Sequence, residues 1–376
     1  MDKSSNQQSP SSTDPSPSIS RKRSFPAMRL QNEPYSMEKR PTFGQWLKIT
    51  WPDLVTILIV GAFALTTFRI GPPIANRTFP LTVIATNEVV YPQFAYPNRG
   101  QIVSPGLDTL LAILIPVAFI FLAQIRIRSF WDLNNALIGL TYALLVSSAF
   151  QVMIKWTIGG LRPNFYDTCK PDITRALSGE HDKTGLNGVG YHQYMWSMDI
   201  CTTKDIGTLR NALQSFPSGH STTIMAAAAY LFLYLNAKLK VFANHHSPMW
   251  KLVLLYCPIL GAVLVCGCLT IDQSHNWYDI LAGAIIGIVF AFSAYRMVYA
   301  SIFDWRFNHI PLNRCSPFAG FDEYENYDRR DLVWTGRAGW RDGVDRESEN
   351  TSLPPPVTSS ESIRDRNGDD NIATAS

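Results

Sequence analysis

The sequence predicts an all-α fold, a bundle of six membrane-spanning helices held between two polar, disordered tails. Three observations carry this reading. The 376 residues are 46% hydrophobic and only 17% charged. That charge is gathered at the two ends and in a few connectors. Between them lie six apolar runs of the length, about 20 residues, that a helix needs to cross a bilayer. Such runs exclude an ordinary soluble enzyme. The formal net charge of +3, with no recurring basic face, argues against a nucleic-acid partner. Six cysteines in a chain of this length do not make a disulfide scaffold.

In chain order, residues 1–45 are rich in Ser, Pro, Gln and Asn, with Arg21, Lys22, Arg23, Lys39 and Arg40 among them. Such a segment buries too little apolar surface to order itself, so a disordered cytosolic tail is expected. Residues 46–300 make up the expected membrane-embedded domain, with helices at about 51–70, 107–125, 133–155, 219–237, 252–271 and 279–300. Pro116 falls inside the second, a position that spanning helices tolerate when neighbours satisfy the freed carbonyl. The fourth carries Ala226–Ala229, and the sixth carries Gly283 and Gly287 four apart. Small residues at that spacing allow close helix contact, and packing within one bundle is expected in preference to a dimer seam. The sequence assigns no oligomeric state. From about Asn313 the chain is again polar, and residues 301–376 are expected to be a mostly disordered cytosolic tail.

Lys and Arg near helix ends set orientation. The N-terminal tail, Arg126 and Arg128, the connector with Lys238, Lys240 and Lys251, and the region after Arg296 all fall on one side, which is then the cytosol. The connectors 71–106, 156–218 and 272–278 face the lumen or cell exterior. Asn76-Arg77-Thr78 matches a glycosylation acceptor there, with its use left open, whereas Asn350-Thr351-Ser352 lies on the cytosolic side. Cys169 and Cys201 share a disulfide-permissive compartment, and a bridge between them is expected. Cys257, Cys266 and Cys268 are expected to pack as small hydrophobes.

Three segments at the exoplasmic helix ends are polar where lipid would penalise it: Lys155 to Pro163, Phe216 to His220, and Asp272 to Asp279. Ionisable residues at membrane depth point to function. Ser218 follows Pro217 and opens the fourth helix as a natural N-cap, leaving amides at Gly219 and His220 to face an anion. Lys155 and Arg162 add a point charge and a planar fork, the two shapes that grip phosphate oxygens. His275 and Asp279 are four apart and expected on one helix face, where the carboxylate fixes the imidazole tautomer and frees the other nitrogen as a nucleophile. His220 is available as the acid for a leaving oxygen. Together these groups make a phosphoryl-transfer site without a metal, since two His and one Asp are a thin ligand set.

Each residue also has a plainer reading. Lys155 and Arg162 alone would serve as interfacial anchors, and Ser-Gly-His alone as a helix cap. His181, His192, His245, His246 and His309 are assigned such ordinary roles. What favours chemistry for the three segments is their shared side of the membrane, argued from orientation alone.

Lys-x6-Arg-Pro at 155–163, Pro-Ser-Gly-His at 217–220 and His-x3-Asp at 275–279, in this order within six apolar helices, resemble the signature of the type 2 phosphatidic acid phosphatase family, also called lipid phosphate phosphatases. Tyr91-Pro92 and Cys169-Lys170-Pro171-Asp172 resemble its eukaryotic lipid phosphatase and diacylglycerol pyrophosphate phosphatase branch. The resemblance covers about 45–300. It implies a helical membrane protein that dephosphorylates phosphatidic acid, diacylglycerol pyrophosphate or related lipids with no cofactor. It further implies that His275 attacks phosphorus to form a phosphohistidine, aided by Asp279. His220 then protonates the leaving group, while Lys155, Arg162, Ser218 and Gly219 bind phosphate. One position departs from the pattern: the arginine six residues before the third-motif histidine is Leu269 here. Arg210 or Lys204 of the long exoplasmic connector is a candidate to supply the missing cation. Leu269 is also the one feature that favours a catalytically weak lipid-phosphate binder acting as sensor or scaffold. A transporter would place its charges nearer the midplane. No retention or lipidation signal at Ala373–Ser376 selects among vacuole, Golgi, endoplasmic reticulum and plasma membrane.

Overall fold

The structure, a computed structural model, describes residues 40–71, 77–81, 92–177, 195–312 and 314. The expected N-terminal tail up to residue 39 and the chain beyond 314 lie outside the described residues, as do Asn76, Tyr91, His181, His192 and Asn350. Six helices are long and apolar enough to span a membrane: α1 (Phe43–Ile70), α2 (Pro105–Ile127), α3 (Phe130–Thr157), α7 (Gly219–Leu239), α8 (Met249–Ile271) and α9 (Trp277–Val298). The chain is a multi-pass membrane protein.

Local chemistry sets the helix boundaries. Ser104, Ser129 and Ser218 each accept a first-turn amide with the side-chain oxygen at the starts of α2, α3 and α7, and capping boxes formed by Thr42 with Gln45 and by Asn276 with Asp279 open α1 and α9. These side chains satisfy donors that the first turn leaves without intrahelical partners. The Thr42 box starts α1 eight residues before the apolar run, so the helix continues into the polar segment that precedes it.

α7 is the central helix, buried along nearly all its length, and α2, α3, α8 and α9 surround it. Its Ala226–Ala229 run is almost wholly buried, and the small side chains let neighbours approach closely. A Cβ on Gly283 would lie 2.5 Å from the Ser218 carbonyl oxygen, and one on Gly287 would lie 2.5 Å from that of Thr222. Both glycines therefore serve α7–α9 packing within one bundle, as expected. α1 packs on α3, and α1, α2, α8 and α9 turn large apolar side chains such as Leu58, Leu114, Leu264 and Ile285 outward. Apolar residues on the outside are what a lipid solvent requires.

At the end where α3 finishes and α7 starts, the two long connectors fold into a cap. Strand β1 (Thr78–Pro80) pairs antiparallel with β2 (Met195–Ser197). Short helices α4 (Phe165–Cys169), α5 (Ile173–Leu177) and α6 (Ile206–Ala212) complete it. Phe79, Phe165, Tyr166, Ile200 and Leu213 form its core, and Cys169 and Cys201 are joined in a disulfide. The opposite end is tied by a buried Lys238–Asp132 ion pair between α7 and α3. It is also tied by Asn135, whose amide donates to the Val298 and Leu312 carbonyls at 3.0 Å. The packed chain thus continues past the boundary expected at 300. Residues 301–312 return against the bundle, where Lys240 donates to Asn308 Oδ1 at 2.8 Å and to the Trp305 carbonyl. Buried His309 sits 2.7 Å from the Lys240 ammonium, so its role is to hold this return segment.

Candidate active site

Three chain reversals at the capped end build the site. α3 carries Lys155 in its last turn, and the chain then turns back through Gly159 and Gly160 at φ +61° and +120°. A side chain at 159 would be strained by that φ and would put its Cβ 2.6 Å from the Leu213 carbonyl oxygen, so glycine is required. The reversal forms a backbone ladder in which Gly160 N–H donates to Leu213, Arg162 N–H to Ala212 and Phe216 N–H to Gly159, each at 3.0 Å. The ladder delivers Arg162 into the interior, where it is 7% exposed. Its Nε and Nη2 donate to the carbonyl and side-chain oxygens of Asn211, at 2.9 and 3.0 Å, and Nη1 donates to the Ser274 carbonyl at 3.1 Å. Two of its five N–H groups are left for a ligand.

The second reversal is 213–218. Ser218 N–H donates to the Asp279 carbonyl at 3.0 Å, which locks the start of α7 to α9. Gln151 of α3 supports the same turn by donating to the Pro217 carbonyl at 3.1 Å. Gly219 and His220 occupy the first turn of α7, where amides have no intrahelical acceptor. The His220 ring hydrogen-bonds the backbone of Val103, while its Nε2 is buried with no partner among the described residues.

The third reversal is 272–276. Asp272 clamps it, accepting from Ser274 N–H at 3.0 Å and from Ile102 N–H at 3.1 Å. Asp272 therefore also fixes the strand of chain that holds His220. His275 precedes the Asn276 cap and so is not on α9, contrary to the expectation that it shares a helix face with Asp279. The two still meet, with His275 Nδ1 3.8 Å from Asp279 Oδ2. That is an ion-pair distance and too long for a hydrogen bond. Asp279 Oδ2 instead accepts from Ser215 Oγ at 2.5 Å and from Asn276 N–H at 2.9 Å. Among the described residues, His275 Nδ1 and Asp279 Oδ1 are buried without hydrogen-bond partners, so both can tighten onto one another when a ligand binds.

Lys155 and Arg162 both act electrostatically on His220 and His275. Burial, helped by these two cations, pushes His275 down to about 3 against the opposing pull of Asp279. Its imidazole is therefore neutral at physiological pH. Burial also lowers Arg162 to about 10, which leaves it charged. A neutral buried imidazole, two cations and first-turn amides can hold an oxyanion beside a nucleophile. No group of three His, Cys, Asp or Glu side chains converges as a metal ligand set among the described residues.

The structure thus brings Lys155, Arg162, Ser218, Gly219, His220, His275 and Asp279 to one end of the bundle. It does not bring the suggested replacements for the missing arginine. Arg210 packs over Gly71, and Lys204 is exposed on the cap. Leu269 is fully buried in α8, and its carbonyl accepts from His275 N–H at 3.3 Å. Sequence reasoning missed Ser215, Asn211, Gln151 and Asp272 as supports. Ser215 and Asp272 lie within or beside the recognised segments, but Asn211 and Gln151 carry no local signal.

Residues 136–303, which contain every one of these groups, match the PAP2 superfamily. The match covers that segment, less than half of the chain. A PA-phosphatase related-family protein of Dictyostelium discoideum is 29% identical over 283 residues, 74% of this chain and 70% of its own length. Lipid phosphate phosphatase 1 of Arabidopsis thaliana is 32% identical over 204 residues, 54% and 57% of the two chains. Diacylglycerol pyrophosphate phosphatase 1 of Saccharomyces cerevisiae is 31% identical over 172 residues, 46% and 54%. No solved structure matches the chain. Within the matched segment, Lys155, Arg162, His220, His275 and Asp279 converge from α3, α7, α9 and the turns between them.

Proposed function

We propose that this PAP2 protein is a lipid phosphatase that hydrolyses the phosphomonoester of phosphatidic acid, or the terminal phosphate of diacylglycerol pyrophosphate, without a metal. The observation that carries this is the convergence of a neutral imidazole with the buried Arg162 and the half-buried Lys155 at one end of a membrane bundle. The names of the relatives agree with it. Lys155, Arg162 and the amides near Ser218 and Gly219 hold the phosphate oxygens. His275 attacks phosphorus through Nε2 while Nδ1–H turns to Asp279. The bond from phosphorus to the lipid oxygen breaks, and His220 donates its proton to that oxygen. Water then attacks the phosphohistidine and gives its proton to His220, so that phosphate leaves and both histidines return to their starting states. The rival reading, a non-catalytic binder, rests on Leu269 alone, and a binder has no need of the His275–Asp279 pair. Purified full-length protein in detergent should release phosphate from both lipids equally well with and without chelator. No release from any lipid phosphate, or abolition by chelator, would refute this reading.

Ser215 is a positioning residue on this mechanism, because it holds the Asp279 oxygen nearest His275. Hydrogen bonds to charged groups contribute about 1.5–3 kcal/mol, so Ser215→Ala should lower kcat about tenfold or more. Ser215→Thr, which keeps the hydroxyl, should retain most of it. Equal rates in Ser215→Ala and wild type would remove Ser215 from the mechanism.

The capped end faces the lumen or exterior, and both tails face the cytosol. This orientation follows from Arg126, Arg128, Lys238, Lys240 and Arg296 at the opposite end of the bundle. Protease added to sealed, cytosol-side-out microsomes should trim both termini, and protection of either terminus would overturn the orientation.

A further inference from the structure

His220 is held by a short piece of chain that is itself held from the end of α8. Its Nε2 is buried with no partner among the described residues, so the bond from its ring to the Val103 backbone falls to Nδ1. An N–H at Nδ1 can meet only the carbonyl there. That bond leaves Nε2 as the nitrogen able to turn to a substrate oxygen. Val103 is buried, but the chain leading to it has little packing of its own. Ile102 is 55% exposed, and a Cβ on Gly100 would meet nothing within 4 Å. What holds this stretch is the Ile102 amide, which donates to Asp272 Oδ2 at 3.1 Å. Asp272 Oδ1 meanwhile accepts from Ser274 N–H at 3.0 Å. Buried Asp272 thus gives one oxygen to its own turn and the other to the chain that orients His220. It also acts electrostatically on His220, a ring on which Lys155 and Arg162 act as cations. An opposite charge stabilises the imidazolium from which a general acid must start.

We propose that Asp272 is a positioning residue for proton transfer from His220, and that this link decides how well phosphomonoesters are used relative to lipid pyrophosphates. This role rests on the lipid phosphatase reading and concerns its two substrate classes. In both, the bond from His275 Nε2 to phosphorus forms as the bond from phosphorus to the leaving oxygen breaks. With phosphatidic acid the electron pair goes to a glycerol alkoxide, a strong base that must take the His220 proton as it leaves. With diacylglycerol pyrophosphate the pair goes to a phosphate oxygen of phosphatidate. A phosphomonoester takes up its last proton only at about pH 6, so that oxygen leaves without one. His220 then starts neutral, takes the proton of the attacking water in the hydrolysis step, and passes it to solvent. A well-placed acid speeds a step about 10²–10⁴-fold, and that gain is open to the monoester alone. Disturbing Asp272 should therefore leave a lipid pyrophosphatase that handles phosphatidic acid poorly.

The test compares full-length Asp272→Asn with wild type in detergent, using dioleoyl phosphatidic acid and dioleoyl diacylglycerol pyrophosphate labelled in the terminal phosphate. Quench-flow reads the rate of phosphoenzyme formation, which precedes the hydrolysis step common to both substrates and so isolates the leaving group. The rate from phosphatidic acid should fall about tenfold or more, and that from the pyrophosphate less than about threefold. Ile102→Pro is the second variant. It deletes the N–H that reaches Asp272, at an exposed position, and leaves the Ser274 clamp in place. It should give the same split, and it decides the matter alone if Asp272→Asn does not fold. A parallel fall with both substrates would make Asp272 a structural support only, and unchanged rates would mean that His220 needs no holder; either overturns the proposal. A split in Asp272→Asn without one in Ile102→Pro would overturn the link through 102–103. If wild-type protein forms no phosphoenzyme from either lipid, the lipid phosphatase reading fails and this role with it. Wild-type protein active on both, with variants that show no split, fails the role alone.

Discussion

Replacement of His275 by alanine is expected to abolish phosphate release from every lipid phosphate, together with transfer of labelled phosphate to the protein. A nucleophile that forms the covalent intermediate has no substitute in the site. Its loss should cost on the order of 10⁴-fold or more in kcat. The ring is 2% exposed and sits in the short turn between α8 and α9. Alanine there leaves the Asp272 clamp on Ser274 and Ile102 intact, so the protein should remain folded. His220→Ala should differ in kind. It removes the proton donor and not the nucleophile, so phosphate should still be trapped on the enzyme from a substrate with a good leaving group. Quench-flow trapping with labelled phosphate reads both outcomes, and full activity in His275→Ala would sink the mechanism.

The pH dependence follows from the same geometry. Since burial and the neighbouring cations hold His275 at about 3, protonation of the nucleophile should not cause an acid limb at its ordinary value near 6.5. The linked effect on stability has a definite sign. Between about 6.5 and 3 the unfolded chain takes up a proton on this residue and the folded chain does not. Its contribution to stability is therefore intact above about 6.5 and declines as the pH falls through that window.

The membrane bundle was legible because its signal is long and local. Six apolar runs announce six helices, and Gly283 and Gly287 announce a close helix contact. The phosphate-binding motifs were legible because they cluster at helix ends within a few residues. The cap was not legible. β1 and β2 are three residues each and lie more than a hundred residues apart in sequence. No periodicity can mark so short a pairing. The return segment 301–312 was missed for a related reason: its hold on the bundle comes from Lys240, Asn135 and Asn308 meeting across the chain, and its own apolar residues are too few and too short a run to mark a helix. At the site, the His275–Asp279 partnership was inferred from helical spacing, yet it forms across a cap. Ser215, which engages the same carboxylate, lies 64 residues from Asp279 and was reachable only through the fold.

The arginine is where sequence and structure together give the sharpest remaining test. Leu269 is fully buried and the suggested substitutes lie elsewhere, so among the described residues Arg162 is the guanidinium acting on both candidate histidines. Its fork has two tasks at once. Nε, Nη1 and Nη2 tie the 211 and 274 turns together through Asn211 and Ser274, and two N–H groups of the fork remain beyond those bonds. Lysine keeps the charge but offers three donors from a single point, which cannot bridge both turns and also grip a phosphate. Arg162→Lys should therefore lower kcat/KM more than about tenfold, which corresponds to roughly 1.4 kcal/mol of barrier. The same substitution should also lower thermal stability in detergent, because the Asn211 and Ser274 carbonyls lose donors that they cannot replace. Leu269→Arg should not compensate. An unpaired cation at a fully buried position costs more than a distant gain in charge returns, so loss of folded protein is the expected outcome there. Arg162→Lys protein with a rate within twofold of wild type would show that neither the fork nor its bridging is needed. In that case the phosphate would have to be held by Lys155 and the amides of α7 alone.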